Sequence, residues 1–156
     1  NLRPTQDPGR RNPSPGVHFQ LGGRNWVLLT VTTKNRSRWL ANHEAHQLLH
    51  QTWHEATGWL VADYLLMPDH LHCFCAPGVV EFSIETWITY WKRQFRRGHV
   101  HGEWGFQSRG WHHRLRDEES YSAKWRYVQE NPLRKGLVVG VDEWPYRGRV
   151  QNIHWS

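Results

Sequence analysis

Two histidines one residue apart, His70 and His72, and a tyrosine and asparagine four apart, Tyr127 and Asn131, are the side chains here whose types and spacing could do chemistry. Alternate side chains of a strand point to one face. His70 and His72 therefore project together, and both rings can reach one ion. The same alternation turns Cys73 and Cys75, with Leu71, to the opposite face. That argues against a mixed His/Cys zinc site and makes the cysteines core residues. The pair alone leaves other readings open. The chain holds 12 His, and two imidazoles do not complete a metal site, which needs a third ligand. The neighbouring His112-His113 cannot chelate side by side, because adjacent strand residues point to opposite faces.

From Asp117 onward the pattern is helical. At about 100° per residue, Tyr121, Trp125 and Val128 gather on one side, the expected core face. Lys124, Tyr127 and Asn131 lie within roughly 60° of one another on a different side, and Tyr127 and Asn131 are i, i+4 neighbours. A phenol, an amide and an ammonium on one strip could make a reactive site. They would equally serve as an amphipathic boundary residue, a helix-end residue leading into a proline turn, and a solvated cation.

The remaining elements must position these groups. Gly22-Gly23 marks a turn, and Trp26–Thr33 is a β-branched run expected as the first long strand. Lys34–Arg38 is a basic loop. Asn42 is placed to cap a helix whose Ala45, Leu48, Leu49, Trp53 and Ala56 repeat at helical spacing up to Gly58. Trp59–Leu66 and Leu71–Ala76 are two strands split by Met67-Pro68-Asp69, a tight hairpin. Ile84, Trp87, Ile88, Trp91 and Phe95 trace one face of a second helix that ends before Gly98, with Lys92, Arg93, Arg96 and Arg97 in its last turns. Residues 98–110 read as a Gly-rich loop and Trp111–Arg116 as a short strand. A third helix runs from the Asp117 cap to Asn131, where Pro132 stops it. Leu137–Val141 reads as a weak strand or extended tail. The order β-α-β-β-α-β followed by a helix describes an α+β, ferredoxin-like sandwich, with an antiparallel sheet, helices on one face and the tyrosine-bearing helix added.

The chain has 156 residues, enough for one domain with a real core. Only 38% of them are hydrophobic, but 11 are Trp, which supply core area that aliphatic counting misses; a few could be stacking platforms for unpaired bases. Twenty Lys and Arg against 14 Asp and Glu give +6, a balance that favours nucleic acid over an anionic membrane surface. Residues 1–16, with Pro4, Pro8, Gly9, Pro13, Pro15 and Gly16, read as a flexible basic arm, followed by one domain over 17–150 and a short tail over 151–156. No apolar run is longer than Gly58–Pro68, and Asp63 interrupts it. With no transmembrane span or signal peptide visible, and cysteines placed too close on one strand to pair, a cytoplasmic protein is expected, with no membrane partner.

Five stretches resemble a known family. Leu66-Met67-Pro68-Asp69-His70-Leu71-His72 resembles the MPxHxH signature of the HUH single-strand transposases. Trp111–Glu119 is similar to the segment that precedes their tyrosine helix. Tyr127-Val128-Gln129-Glu130-Asn131-Pro132-Leu133-Arg134-Lys135-Gly136-Leu137-Val138 resembles their YIxxNPVRAGLV element. Gly22–Arg38 and Trp144-Pro145-Tyr146 stand where the family has its opening strand with basic loop and its closing motif. Together, over about residues 17–148, these resemble the REP-associated tyrosine transposases, domesticated relatives of insertion-sequence transposases.

The resemblance implies that His70 and His72 ligate a divalent ion, Mg²⁺ or Mn²⁺, that Asn131 is a third ligand or metal neighbour, and that Tyr127 is the nucleophile. It implies a single-stranded DNA hairpin, an imperfect palindrome beside a short guide sequence, as partner, with cleavage and rejoining through a 5′-phosphotyrosine. It also implies a bacterial, nucleoid-associated location and a monomer rather than a dimer. Phosphate contacts are expected from Lys92, Arg93, Arg96 and Arg97, then from Arg114, Arg116, Lys124, Arg36 and Arg38. Two other readings stand beside this one, while a third, a pure interaction module, leaves the clustering of His70, His72, Tyr127 and Asn131 unexplained. One is a hairpin-binding protein without turnover. The other is a phosphodiesterase using water as nucleophile, which would form no covalent protein–DNA species.

Overall fold

Val27–Thr33 (β1) is rich in β-branched residues and buried along almost its whole length, as a strand covered on both faces must be. The computed structural model describes residues 26–153; the basic arm, the Gly22-Gly23 turn and the last three residues of the tail lie outside them. The strands are β1, β2 (Trp59–Leu66), β3 (His70–Pro77), β4 (Phe106–Arg114) and β5 (Arg147–Arg149). The helices are α1 (His43–Glu55), α2 (Ile84–Arg97), α3 (Glu118–Gln129) and the short α4 (Asn131–Arg134). The sheet runs β4-β1-β3-β2-β5 with every pairing antiparallel, so the expected α+β order and sheet are present.

Alternation sorts side chains to two layers. Val27, Leu29, Val31, Leu71, Cys73 and Cys75 pack under α1 and α2 against Leu49, Trp53, Trp87, Trp91 and Phe95. Leu28, Leu60, Leu65, Phe74 and Ala76 face the other way, toward Val128, Tyr121 and Trp125 of α3. Both cysteines are fully buried and unpaired. The indole N–H groups of Trp39, Trp53 and Trp91 are buried and have no hydrogen-bond partner among the described residues. Each costs about 1–3 kcal/mol, but an indole burying roughly 200 Å² contributes about 5 kcal/mol. Burial wins, and these rings hold α1 and α2 to the sheet.

Caps start the helices where expected. Asn42 accepts from the Ala45 amide and Asp117 from the Ser120 amide, each worth about 1 kcal/mol. Ser83, a cap the periodicity did not single out, starts α2 by accepting from Thr86.

The structure corrects four sequence expectations. Residues 98–110 are not all loop, because β4 begins at Phe106, whose ring packs on Trp39, Trp91 and Phe95. Gly110 suits this strand, since a Cβ there would come within 3.3 Å of Leu29 and Val31. The strand also ends at Arg114 rather than Arg116, where Leu115 turns in to donate to the Trp26 carbonyl. The tyrosine helix ends at Gln129, and Pro132 sits in the first turn of α4 instead of stopping α3 at Asn131. Proline is tolerated in a first turn because no partner is needed for its missing N–H. Gly136, at φ +71°, then closes α4. Finally, Leu137–Val141 forms no strand. The free edge of β2 is taken by Arg147–Arg149, and Val139 is left 87% exposed.

A bulge in β2 aligns α3 on the sheet. Val61 faces Cys75 and Tyr64 faces Cys73, so Ala62 and Asp63 both oppose Phe74. The Asp63 carboxylate accepts from the Tyr121 hydroxyl at 2.6 Å and from Arg149 at 2.7 Å. The Tyr121 ring lies 4.4 Å from Phe74 and 5.3 Å from Trp26. This ties down the first half of the helix that carries Tyr127.

Under α1, the buried Tyr64 hydroxyl bridges His46 Nε2 at 2.8 Å and His50 Nδ1 at 2.9 Å. Burial, then the neighbouring histidines, lowers the pKa of both imidazoles from the ordinary value. Below about pH 6.5 the unfolded chain binds protons that the folded chain resists, so stability is full above that pH and declines as the medium acidifies. Thermal melts should therefore give a lower midpoint at pH 5 than at pH 7.5. His46→Gln should flatten the dependence; an unchanged slope would remove this pair from its cause.

Candidate functional site

The hairpin Met67-Pro68-Asp69 delivers His70 and His72 to the start of β3, on the sheet face covered by α3 and away from Cys73 and Cys75. Their rings meet edge to face with centroids 4.9 Å apart. Each ring has its Nδ1 engaged. The Nδ1 of His70 lies 2.8 Å from Asp69 Oδ1, and that of His72 lies 2.9 Å from Thr30 Oγ1. With Nδ1–H donating to these oxygens, Nε2 of both rings carries the free lone pair. That is how second partners orient histidines toward a metal. Burial, then the charges of His70 and Arg134, lowers the His72 pKa to about 3, so its imidazole stays neutral, as a ligand must.

Asp69 is itself held from the other side. Arg36 donates to its Oδ2 at 3.0 Å, from a turn where Arg36 takes a left-handed φ of 55°. Burial works against the Asp69 carboxylate, but the hydrogen bonds and charges of His70 and Arg36 outweigh it, and its pKa falls below the ordinary value. Asn131, the first residue of α4, brings its side-chain amide within 3.5 Å of His70 Nε2. A half-turn of that amide exchanges nitrogen for oxygen, so the position can present a carbonyl oxygen beside the two imidazoles. Two nitrogens and an amide oxygen are a donor set that fits a divalent ion. Among the described residues, no group of three or more His, Cys, Asp or Glu could hold a metal ion.

Tyr127 is 64% exposed. Its ring is covered on one side by Arg134, whose guanidinium carbon lies 3.8 Å from the ring centroid. Arg134 also donates to the Tyr127 carbonyl at 2.8 Å and pairs with Glu130 at 3.5 Å. One cation thus touches the tyrosine and, through its charge, His72. Asp69, Thr30 and Arg134 were not singled out by residue type. Asp69 and Arg134 stand inside the two motifs, which was the available signal; Thr30 is found only through strand register.

The expected basic residues divide. Arg36 joins the site through Asp69, and Arg38 is exposed on the same loop. Lys124 is exposed on α3, close enough that its charge acts on His113. Arg116 is exposed just before α3. Arg114 faces the other side of the sheet, opposite Val27. Lys92, Arg93, Arg96 and Arg97 lie on α2, which packs on the cysteine face, so the sheet separates them from the histidines. Lys92 is further committed, donating to the Gln107 carbonyl at 2.6 Å. A cleft of about 420 Å³ lies elsewhere, across α3 from Tyr127, between Trp26, Tyr121, Trp125, Arg126 and Arg149.

No helix among the described residues is long and apolar enough to cross a membrane. No protein-family model matches the chain. Among curated proteins it is similar to the REP-associated tyrosine transposase of Escherichia coli (strain K12), with 28% identity over 138 residues, 82% of this chain and 78% of that protein. A shorter match, 28% identical over 96 residues, covers 52% of this chain and 53% of a Haemophilus influenzae protein named for the same group. Its fold matches that of a REP-associated tyrosine transposase solved bound to a REP hairpin, with a TM-score of 0.64 and 23% identity over 86% of this chain and 82% of that one. In sequence over most of its length, and in fold, this chain is a relative of the REP-associated tyrosine transposases.

Proposed function

We propose that this chain cuts and rejoins single-stranded DNA at hairpin-forming repeats, with Tyr127 as nucleophile and a divalent ion at His70, His72 and Asn131. The observation that carries the proposal is the convergence of His70, His72 and Asn131 on one sheet face, with Arg134 linking that face to an exposed tyrosine. The E. coli relative's name and the hairpin bound to the solved relative support the choice of DNA hairpins as substrate.

In the reaction the Tyr127 phenol gives up its proton and its oxygen bonds to phosphorus. The bond from phosphorus to the 3′ oxygen breaks, and that oxygen takes up a proton. One phosphoester replaces another, so the 5′-phosphotyrosine keeps the bond's energy and a 3′-hydroxyl can reverse the step without ATP. A bound Mg²⁺ or Mn²⁺ would supply charge neutralisation at the phosphate. Asp69 and Thr30 fix the imidazole orientations, Arg134 holds the Tyr127 ring, and Arg36 keeps Asp69 in place.

The test is incubation with the palindromic repeats flanking the protein's own gene in the presence of Mn²⁺, followed by a denaturing gel. A protein–DNA adduct is expected. Binding without any adduct would favour a hairpin-binding protein without turnover, and cutting without adduct a water nucleophile.

A further inference from the structure

Of the described tryptophans, all but one are buried or half-buried. Trp111 is 74% exposed. Strand register places it two strands from His72, in the same row. Thr30 of β1 is paired with His72 on one side and with Trp111 on the other. Residues directly opposite across an antiparallel ladder share a face, so Trp111, Thr30 and His72 form one row on the α3 side of the sheet. Two strand spacings separate Trp111 from His72, about 10 Å, comparable to a nucleotide from its phosphate to the far edge of its base.

The helix side agrees. Lys124 acts on His113, two residues beyond Trp111 on the same face, and Asn131 reaches His70. Tyr127 lies one turn after Lys124 on α3, ahead of Asn131 at the start of α4, as Trp111 lies between His113 and the His70 end of the sheet. Among the described residues, the positions that register sets beside the indole on this face are polar. Its neighbours in the row and along the face are Thr30, His72 and His113, with Lys124 nearby, and among the described residues β4 is an outer strand of the sheet. A single exposed indole among hydrogen-bonding and cationic groups suits an unpaired base rather than an apolar protein surface.

We propose that Trp111 is a stacking platform for an unpaired nucleobase of single-stranded DNA, next to the phosphate held at His70, His72 and Asn131. This rests on the strand-transfer reading above and adds a subsite to it. Sequence-tolerant stacking on Trp111 holds the flanking strand in line, while the phosphate contacts set its depth.

The experiment compares wild type, Trp111→Ala and Trp111→Phe on three DNAs. These are a hairpin repeat from beside the gene with a single-stranded flank, the same DNA with abasic sites throughout the flank, and the hairpin without flank. Trp111→Ala should bind the flanked hairpin about ten- to a hundredfold more weakly, and Trp111→Phe should recover most of the loss. On the abasic and unflanked DNAs the three proteins should bind alike. Equal binding of the flanked hairpin by wild type and Trp111→Ala, with wild type still forming its adduct, would overturn the platform alone. A loss by Trp111→Ala of the same size on all three DNAs would also overturn it, as a general effect on the surface. Failure of wild type to bind the flanked hairpin or to form an adduct would overturn the strand-transfer reading, and the platform with it.

Discussion

Tyr127→Phe abolishes the covalent protein–DNA adduct while hairpin binding stays near that of the wild type; this is the largest effect expected. The substitution removes one oxygen and keeps the ring. Arg134 retains its face contact and its bond to the residue 127 carbonyl. The side chain is largely solvent-exposed, so no cavity opens and the melting temperature should not move. Removing a covalent nucleophile lowers turnover on the order of 10⁴-fold or more. A denaturing gel with end-labelled DNA reads the adduct, and a gel shift reads binding. If the Phe variant still cuts at the same position, Tyr127 is not the nucleophile.

The second large effect concerns the ion. His70→Ala should remove cutting, EDTA should do the same to the wild type, and Mn²⁺ added back to the treated wild type should restore it. With Nδ1 of both rings tied to Asp69 and Thr30, Nε2 is the nitrogen each ring has left to offer an ion. Imidazoles are softer ligands than Mg²⁺ prefers, so Mn²⁺ should support the faster rate. Thr30→Val leaves both histidines in place but frees the His72 ring, and should weaken Mn²⁺ binding about 10–100-fold, read by titrating cutting against the ion. Cutting by wild type that persists undiminished in EDTA would remove the metal from the mechanism.

Much of this site could be read from local periodicity. A period of two puts His70 and His72 on one face and Cys73 and Cys75 on the other. A period of 3.6 puts Tyr121, Trp125 and Val128 in the core and leaves Tyr127 on a different side. These patterns are set by backbone geometry within a few residues, so they survive without knowledge of the fold. Where local rules compete, the sequence alone does not fix the outcome. Pro132 can stop a helix or begin one, and the chain uses it to begin α4. Glycines that suggest a loop before Trp111 include Gly110, which sits in a strand, where a Cβ would lie a tight 3.3 Å from Leu29 and Val31.

The chain by itself thus determined the α+β order, the facing of the two histidines, the burial of the cysteines and the tyrosine strip. Only the tertiary structure decided which groups those side chains meet. That Thr30 orients His72, that Arg36 braces Asp69 from 33 residues away, and that the α2 cations lie beyond the sheet from the histidines all depend on register and layer. Both are non-local: a pairing between β1 and β4 joins residues some eighty positions apart, and no short-range pattern specifies it. The same register puts Trp111 in line with His72.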